Sequence, residues 1–511
     1  MNGQRKQHPR DGQSRSNRQR NGQPRNNQPR RARAHISGAR IVAYDVLRDV
    51  MDRDAYANLA LASRIREAKL DARDAALATE LAAGTLRGMG RLDRIIELAA
   101  DRSVKDIDER TLNVLRLGAH QLLSMRTATH AAVNESVELQ RRVANERAAG
   151  FVNGVLREIS RSTPEQWDRD IAAKAGSPDE ALAAATSHPS WVVRALRDAL
   201  RAEGRDGELE ELLAADNAAP RVNLALLSGA GIAPDELAAV EPDSLNARGM
   251  SPLGLELVGG DPAGAISTAE REAGIPVGLL RVQDQGSQLA ALSLVHAAPV
   301  RRGERWLDLC AGPGGKSAIL AAEAVIEGAT LRANEVSPHR ADLVRDSLAG
   351  VVEIASPEAI EVVSHDGRTH EAYGCGAQTH ELFDRILVDA PCSGLGALRR
   401  RPEARWRKQP SDLPELTALQ GELLDAAVAH LAPGGVLAYV TCSPHLAETR
   451  VMVDRLLKRE PGLRELDAKS AVRTAARNGE TIDLAGDHLS AQLWPHRHNT
   501  DAMFIALLSR D

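Results

Sequence analysis

The stretch Trp306-Leu307-Asp308-Leu309-Cys310-Ala311-Gly312-Pro313-Gly314-Gly315-Lys316 joins an apolar, strand-like run to a glycine-rich turn. Glycine lets a backbone approach a ligand closely, and a helix that starts behind such a turn presents free N–H groups. The turn is not the G-x-G-x-x-G fingerprint, yet its glycines serve the same purpose. An acid ending the next strand is the expected companion, where it can accept from ribose hydroxyls. Glu335 fits: it follows Leu331-Arg332-Ala333-Asn334 and lies 20 residues past Gly315.

Further strand-like runs follow with chemistry at their ends. Ile360 to Val363 precedes His365-Asp366-Gly367, and Asp366 there suits hydrogen bonding to an adenine amino group. Ile386-Leu387-Val388 leads into Asp389-Ala390-Pro391-Cys392-Ser393-Gly394, and Val436-Leu437-Ala438-Tyr439-Val440 leads into Thr441-Cys442-Ser443. In a parallel α/β sheet these strings share the carboxyl edge, where ligands bind. Asp308, Glu335, Asp366 and Asp389 thus form an ordered series of acids around a nucleoside-shaped pocket. Asp308 has a structural alternative, holding the turn through backbone bonds. The alternative for Lys316 is a solvated helix position.

The 511 residues predict two to four domains, each able to bury a core. Hydrophobic residues make up 43% and aromatics 2%, so the cores must rest on Leu, Val, Ile and Ala. The net charge of −5 is uneven: residues 1–36 carry ten Arg or Lys and one Asp, a net of +9, which leaves −14 on the rest. An acidic body with a basic arm suits a protein that touches polyanions locally. Four cysteines with no C-x-x-C pair argue against a disulfide scaffold and a zinc knuckle, so no metal is expected. Cys375 reads as incidental. A reducing cytoplasm is the natural setting. No apolar run is long enough for a bilayer, and the basic N-terminus lacks the apolar core of a secretory signal.

Residues 1–36, with almost no apolar content, are expected to be a disordered basic tail. Residues 37–165 read as an all-α bundle of six or seven helices, with Asp71, Asp106 and Thr129 as candidate caps or turns. Residues 166–280 are less legible and suggest a small mixed α/β linker subdomain, with an amphipathic helix from Ser190 and a strand near Arg221–Leu227. Residues 281–511 show the strand–helix–strand rhythm of a doubly wound sheet.

His130-Ala131-Ala132-Val133-Asn134-Glu135-Ser136-Val137-Glu138-Leu139 and Phe151-Val152-Asn153-Gly154-Val155-Leu156-Arg157 resemble the NusB family of RNA-binding helical domains. Asn134, Glu135 and Asn153 read as capping and cross-linking residues; Arg141, Arg142, Arg157 and Arg161 are the better phosphate candidates. Cys310 to Lys316, Asp389 to Gly394 and Thr441 to Ser443 are similar to the motifs of the NOL1/NOP2/Sun family of RNA cytosine-5 methyltransferases. A NusB-like domain ahead of them resembles the bacterial Sun/Fmu/RsmB branch that acts on 16S ribosomal RNA. Gln283-Asp284-Gln285-Gly286-Ser287-Gln288, Arg405-Trp406 and Pro495-His496-Arg497-His498-Asn499-Thr500-Asp501 also match its usual strings. The fold implied is a Rossmann-like α/β methyltransferase domain behind a NusB-like bundle. Departures are Glu448-Thr449-Arg450 in place of a Glu-Asn-Glu element, and Asp501-Ala502-Met503-Phe504 in place of Asp-Gly-Phe-Phe.

The resemblance implies S-adenosyl-L-methionine as cofactor, held by Cys310, Ala311, Gly312, Pro313, Gly314, Gly315 and Lys316. It puts Glu335 on the ribose, Asp366 near adenine and Asp389 beside the methionine end. Cytosine C5 is a weak nucleophile, and adding a thiolate at C6 activates it; afterwards the C5 proton and the thiol must leave. A Pro-Cys dipeptide carries the nucleophile in DNA cytosine-5 methyltransferases, which nominates Cys392 on residues alone. The RNA family's Thr-Cys-Ser string instead implies Cys442 as nucleophile, Cys392 in product release and Asp389 on the cytosine edge. Cys310 reads as a packing or backbone residue.

The basic run Arg399, Arg400, Arg401, Arg405, Arg407 and Lys408 favours phosphate binding over plain solvation. Trp406 could stack a base or pack beneath the loop. The partner implied is ribosomal RNA, with neither membrane nor metal, and a monomer is expected. Two rivals stand beside this reading: an RNA-binding assembly or antitermination factor without catalysis, and the same chemistry on transfer RNA or another ribosomal site.

Overall fold

A computed structural model describes residues 36–356, 358–374 and 381–511. The basic arm before Ile36, and Cys375, lie outside these residues. Ile36 itself is buried in the core of the helical bundle rather than belonging to a tail.

Seven α-helices run from Gly38 to Ile159. The Asp71 side chain caps the helix Ala72–Arg87 by accepting from Asp74 N at 2.8 Å. The cap expected at Asp106 sits at Asp108, which accepts from Thr111 N, and Thr129 is the first helical residue behind Ala128. Leu47, Leu81, Ile95, Leu115, Val152 and Leu156 meet in the bundle core. Four more helices, Pro164–Lys174, Pro178–Ala185, Ser190–Ala202 and Leu209–Asn217, carry the chain onward. A small antiparallel sheet follows, formed by β1 (Asn223–Leu226), β2 (Leu245–Asn246), β3 (Gly254–Leu257) and β4 (Leu280–Val282) in the order β2-β3-β1-β4. The mixed region is therefore helical in its first half, and its sheet extends through Val282.

The large sheet holds β5 (Arg305–Asp308), β6 (Thr330–Asn334), β7 (Ile360–Val363), β8 (Phe383–Asp389), β9 (Leu431–Thr441), β10 (Leu463–Leu466), β11 (Ala491–Leu493) and β12 (Met503–Arg510). Its order is β7-β6-β5-β8-β9-β12-β10, with β11 also on β12. The strands from β7 through β9 are parallel, while β12 runs antiparallel to β9. The chain winds outward from β5 to β7, then returns to β8 on the other side of β5. The order thus reverses between β5 and β8, the place where open α/β sheets bind ligands.

Alternation along the strands divides the core between two faces. Trp306, Leu387, Ala438 and Ile505 join one layer, with Leu320 and Leu348 of the helices Gly315–Glu327 and Pro338–Ile354. Leu307, Ile386, Tyr439 and Phe504 join the other, with Leu424 and Leu456 of the helices Leu413–Ala429 and Arg450–Arg459. Burial on both faces explains why β8 and β9 read as continuous apolar runs.

The basic run after the Asp389 string has a structural task. Arg405 is 0% exposed, and its guanidinium donates to Ser187 O at 2.9 Å, Asn217 Oδ1 at 2.8 Å and Asp216 O at 3.3 Å. Arg407 donates to Val50 O and Ala55 O in the first helical hairpin. Glu403 accepts from Ala57 N, and the Arg401 guanidinium lies over the Tyr56 ring. The Trp406 ring sits where a Cβ on Gly90 would lie, 2.4 Å away. Arg399 donates to Asn499, and Arg400 pairs with Asp501. The expectation of phosphate binding is corrected for Arg399, Arg400, Arg405 and Arg407. Their forked donors are spent on carbonyls, an amide and a carboxylate of this chain: in this staple Arg407 ties the segment to the bundle, Arg405 ties it to the helices that follow the bundle, and Arg399 and Arg400 hold Asn499 and Asp501. Trp406 packs beneath the loop.

Candidate active site

The glycine turn closes β5. Gly312 and Gly314 have φ of 59° and 88°, and a Cβ on Gly314 would fall 2.6 Å from Ser347 of the neighbouring helix. Only glycine combines that conformation with that approach. Asp308 is buried beneath the turn, accepting from Ser317 Oγ at 2.7 Å and Cys310 N at 3.3 Å. Burial pushes its carboxyl up to about 7, against the pull of the Ser317 hydrogen bond. Asp308 therefore holds the turn from below, and the Cys310 thiol is likewise pushed up by burial.

Glu335, directly behind β6, points back at the turn. Its Oε2 accepts from Gly312 N at 3.0 Å, its Oε1 accepts from Ser337 N at 3.1 Å, and Arg340 lies 3.3 Å away. Asn334 donates to Leu309 O and His365 O, and so ties together the ends of β5, β6 and β7. Asp366 lies beyond β7, half-exposed, with its carboxylate in the fork of Arg368; that hydrogen bonding holds it below the usual carboxylate range.

β8 and β9 are parallel neighbours, with Asp389 opposite Val440. Both cysteine strings consequently leave the sheet at one edge. Cys392 Sγ and Cys442 Sγ are 3.4 Å apart, and both thiols are partly exposed. Gly396 N donates to Cys442 O at 2.8 Å, tying the first loop to the second. Lys316 Nζ donates to Asp389 Oδ2 at 2.7 Å. Burial opposes the Lys316 charge, but the Asp389 carboxylate outweighs it and holds the ammonium above its ordinary value.

The two thiols are unequal. The hydrogen bond from Cys392 holds Cys442 below the ordinary thiol range; burial and Asp389 oppose this, and Lys316 reinforces it. The same contact, with burial, pushes Cys392 well up. The thiolate is the nucleophilic form, so this environment favours charge on Cys442.

Sequence reasoning missed three parts of this arrangement: the Lys316–Asp389 pair, the Gly396 contact, and Glu448, which is buried between the cysteine loops. A further cluster lies beside Cys442. Asp284 is buried and accepts from Thr500 Oγ, Gly286 N and Asp501 N, while Arg400 closes on Asp501. This joins the Gln283–Gln288 string to the chain's last motif. Among the described residues, no group of three or more His, Cys, Asp or Glu is arranged to hold a metal ion, and no helix is long and apolar enough to cross a membrane.

Residues 37–161 match the NusB family, and residues 296–509 match the family described as 16S rRNA methyltransferase RsmB/F. The chain is 33% identical over 445 residues to ribosomal RNA small subunit methyltransferase B of Pseudomonas putida, covering 84% of this chain and 91% of that one. The chain belongs to the RsmB/F methyltransferase family. Among other RsmB/F relatives, the probable ribosomal RNA small subunit methyltransferase B of Bacillus subtilis is 29% identical over 481 residues, 93% of this chain and 99% of the relative. A Mycobacterium tuberculosis protein assigned by name to the methyltransferases is 45% identical over 479 residues, 94% of this chain and 98% of that one. The RsmB/F architecture also matches the crystal structure of PH0851 in fold, with a TM-score of 0.72 at 21% identity, covering 93% of this chain and 98% of that one.

Proposed function

We propose that this protein is an S-adenosyl-L-methionine-dependent RNA cytosine-5 methyltransferase acting on 16S ribosomal RNA in the cytoplasm. The observation that carries the reading is the thiol pair: Cys392 and Cys442, 3.4 Å apart, at the ends of two parallel strands beside the switch point of the sheet.

The residues fit the cofactor. The helix Gly315–Glu327 starts behind Gly314 with no side-chain cap, which leaves first-turn N–H groups for a ligand, and the buried Glu335 carboxylate suits ribose hydroxyls. Gln283 packs against Gly315 and keeps a buried Oε1 with no hydrogen-bond partner among the described residues, an acceptor suited to a ligand amino group. Asp366 is assigned to adenine, which requires the Arg368 fork to open or share it. When bound, the cofactor supplies an electrophilic sulfonium methyl group.

Cys442 forms the bond to cytosine C6 as the thiolate. Asp389, oriented by Lys316, hydrogen-bonds the cytosine edge and stabilises the ring during attack. After C5 is methylated, the C5 proton passes to water beside Cys392, the electron pair of that C–H bond forms the C5=C6 double bond, the C6–S bond breaks, and Cys442 leaves as thiolate. The division of labour follows the chain: a NusB-like bundle over 37–165 grips RNA, 166–280 links, and 281–511 carries the chemistry as a monomer.

The test is asymmetric. Cys442→Ala is expected to abolish methyl transfer and any covalent RNA adduct, while Cys392→Ala accumulates an adduct that survives denaturing gels. An adduct formed by Cys442→Ala overturns the assignment. Bisulfite mapping of RNA from a deletion strain identifies the substrate: loss of a methylcytosine from transfer RNA or large-subunit RNA redirects the reading. RNA binding without methyl transfer or cofactor binding marks a non-catalytic assembly factor.

A further inference from the structure

Each cysteine is followed by a serine, Ser393 and Ser443, and one carboxylate holds both. Glu448 is 0% exposed. Its Oε2 accepts from Ser393 Oγ at 2.5 Å and from Ser443 Oγ at 2.7 Å. Its Oε1 accepts from Ser393 N at 2.7 Å and from Gln420 Nε2 at 3.3 Å. Gln420 reaches on to Pro391 O at 2.8 Å, the residue before Cys392. Tyr439, on β9, donates its one hydroxyl proton to Glu448 O at 2.7 Å, with Gln420 Oε1 3.2 Å from the same oxygen.

Among the described residues the carboxylate is paired with no Lys or Arg, and its four hydrogen-bond donors are neutral. A buried carboxylate in that position costs several kcal/mol unless every lone pair is used. Here its hydrogen bonds converge on the two residues adjoining the thiols. The Cys392 string comes from β8 and the Cys442 string from β9; the β8–β9 ladder ends before either cysteine, and beyond it the bond from Gly396 N to Cys442 O joins the loops four residues past Cys392. The register of the sheet alone therefore does not fix the distance between the two sulfurs.

We propose that Glu448 is a positioning residue that sets the separation of Cys392 and Cys442, and through it the hydrogen bond by which one thiol biases the other. It acts through Ser393 and Ser443 and touches neither sulfur. The catalytic meaning of the pair rests on the function proposed above; the clamp itself does not.

The charged groups facing Cys442 are Lys316 and Asp389 from the turn and β8, and Asp501 and Arg400 from the last motif and the staple. None is altered in the clamp variants. The experiment is alkylation of the full-length protein by iodoacetamide across pH, with Cys442 followed by peptide mass spectrometry. Glu448→Gln keeps the shape of the side chain but replaces one acceptor oxygen with a donor. It is expected to move the half-point for Cys442 alkylation upward by about one pH unit and to slow alkylation at pH 7 about tenfold. Ser393→Ala and Ser443→Ala, which each delete one hydroxyl, are expected to give part of that shift and carry the test if Glu448→Gln is insoluble.

Cys392→Ala removes the thiol partner and is expected to give the full shift. Adding Glu448→Gln to Cys392→Ala then changes nothing more. An unshifted profile in all three clamp variants overturns the proposal, as does an equal further shift in the Cys392→Ala background. Alkylation needs neither RNA nor cofactor. Absence of methyl transfer with the alkylation pattern intact therefore counts against the function and leaves the clamp standing.

Discussion

Lys316 and Asp389 join the two halves of the site: the ammonium behind the glycine turn donates across 2.7 Å to the carboxylate at the end of β8. The pair spans the point where strand order reverses, between β5 and β8. One contact thus fixes the turn and the first cysteine string relative to each other, and brings a positive charge close to Cys442.

Lys316→Met keeps much of the side-chain volume and removes the charge. Asp389 then loses its partner, and Cys442 loses an ammonium that favours the thiolate. Methyl transfer is expected to fall by about a hundredfold or more, with the remaining activity shifted to higher pH. Initial rates between pH 6 and 9 check this; a wild-type rate with a wild-type profile refutes it.

Gly396 leaves no room for a side chain. A Cβ there would lie 2.1 Å from Ala502 O and 2.8 Å from Cys442 O. Gly396→Ala must push the Ala502 carbonyl away and crowd that of Cys442, so methyl transfer is expected to drop at least about tenfold and stability by about 1–3 kcal/mol. Steady-state kinetics alongside urea unfolding measure both. Unchanged kinetics would show that this contact does not hold Cys442 in place.

The staple makes a prediction about stability. Arg405→Ala leaves Ser187 O, Asn217 Oδ1 and the buried Asp216 without their donor, at a cost of about 2–4 kcal/mol. Gly90→Leu is expected to displace Trp406 and loosen the same junction. Limited proteolysis should cut both variants between the bundle and the catalytic sheet faster than the parent chain. Equal cleavage rates count against a stapled junction.

Glu203 sets a pH dependence. It lies beside Trp494, whose indole N–H donates to it at 2.7 Å, and burial outweighs that bond to push its carboxyl from 4.5 up to about 7. The folded chain then binds more protons than the unfolded one between those values. The stability this group contributes is complete below pH 4.5 and is lost as pH rises through 7. Glu203→Gln is expected to raise the stability measured by urea unfolding at pH 8 by about 1–3 kcal/mol and to leave it nearly unchanged at pH 5. Equal effects at the two pH values refute the assignment.

Most of the large sheet could be read from the chain because buried parallel strands are short apolar runs with chemistry at their ends. Trp306–Asp308, Leu331–Asn334, Ile386–Val388 and Val436–Val440 all lie in strands. Glu335 was legible from its spacing, since a strand–helix–strand unit fixes where the next acid must fall. Glu448 was hidden because it stood in a string that departs from the family pattern, and its four donors come from three separate segments. The basic run misled for a related reason. A guanidinium suits a phosphate and a cluster of carbonyls equally, and composition does not say which it meets. Arg405 met carbonyls because the helices ending near Ala185 and Asn217 converge on it.

Anchoring the segment behind Cys392 in the bundle makes this protein a pair of callipers. Its jaws are the helical bundle and the sulfur pair, and the staple keeps their opening from drifting. Under the function proposed above, an RNA that touched both the bundle and the sulfur pair would have to span that fixed opening.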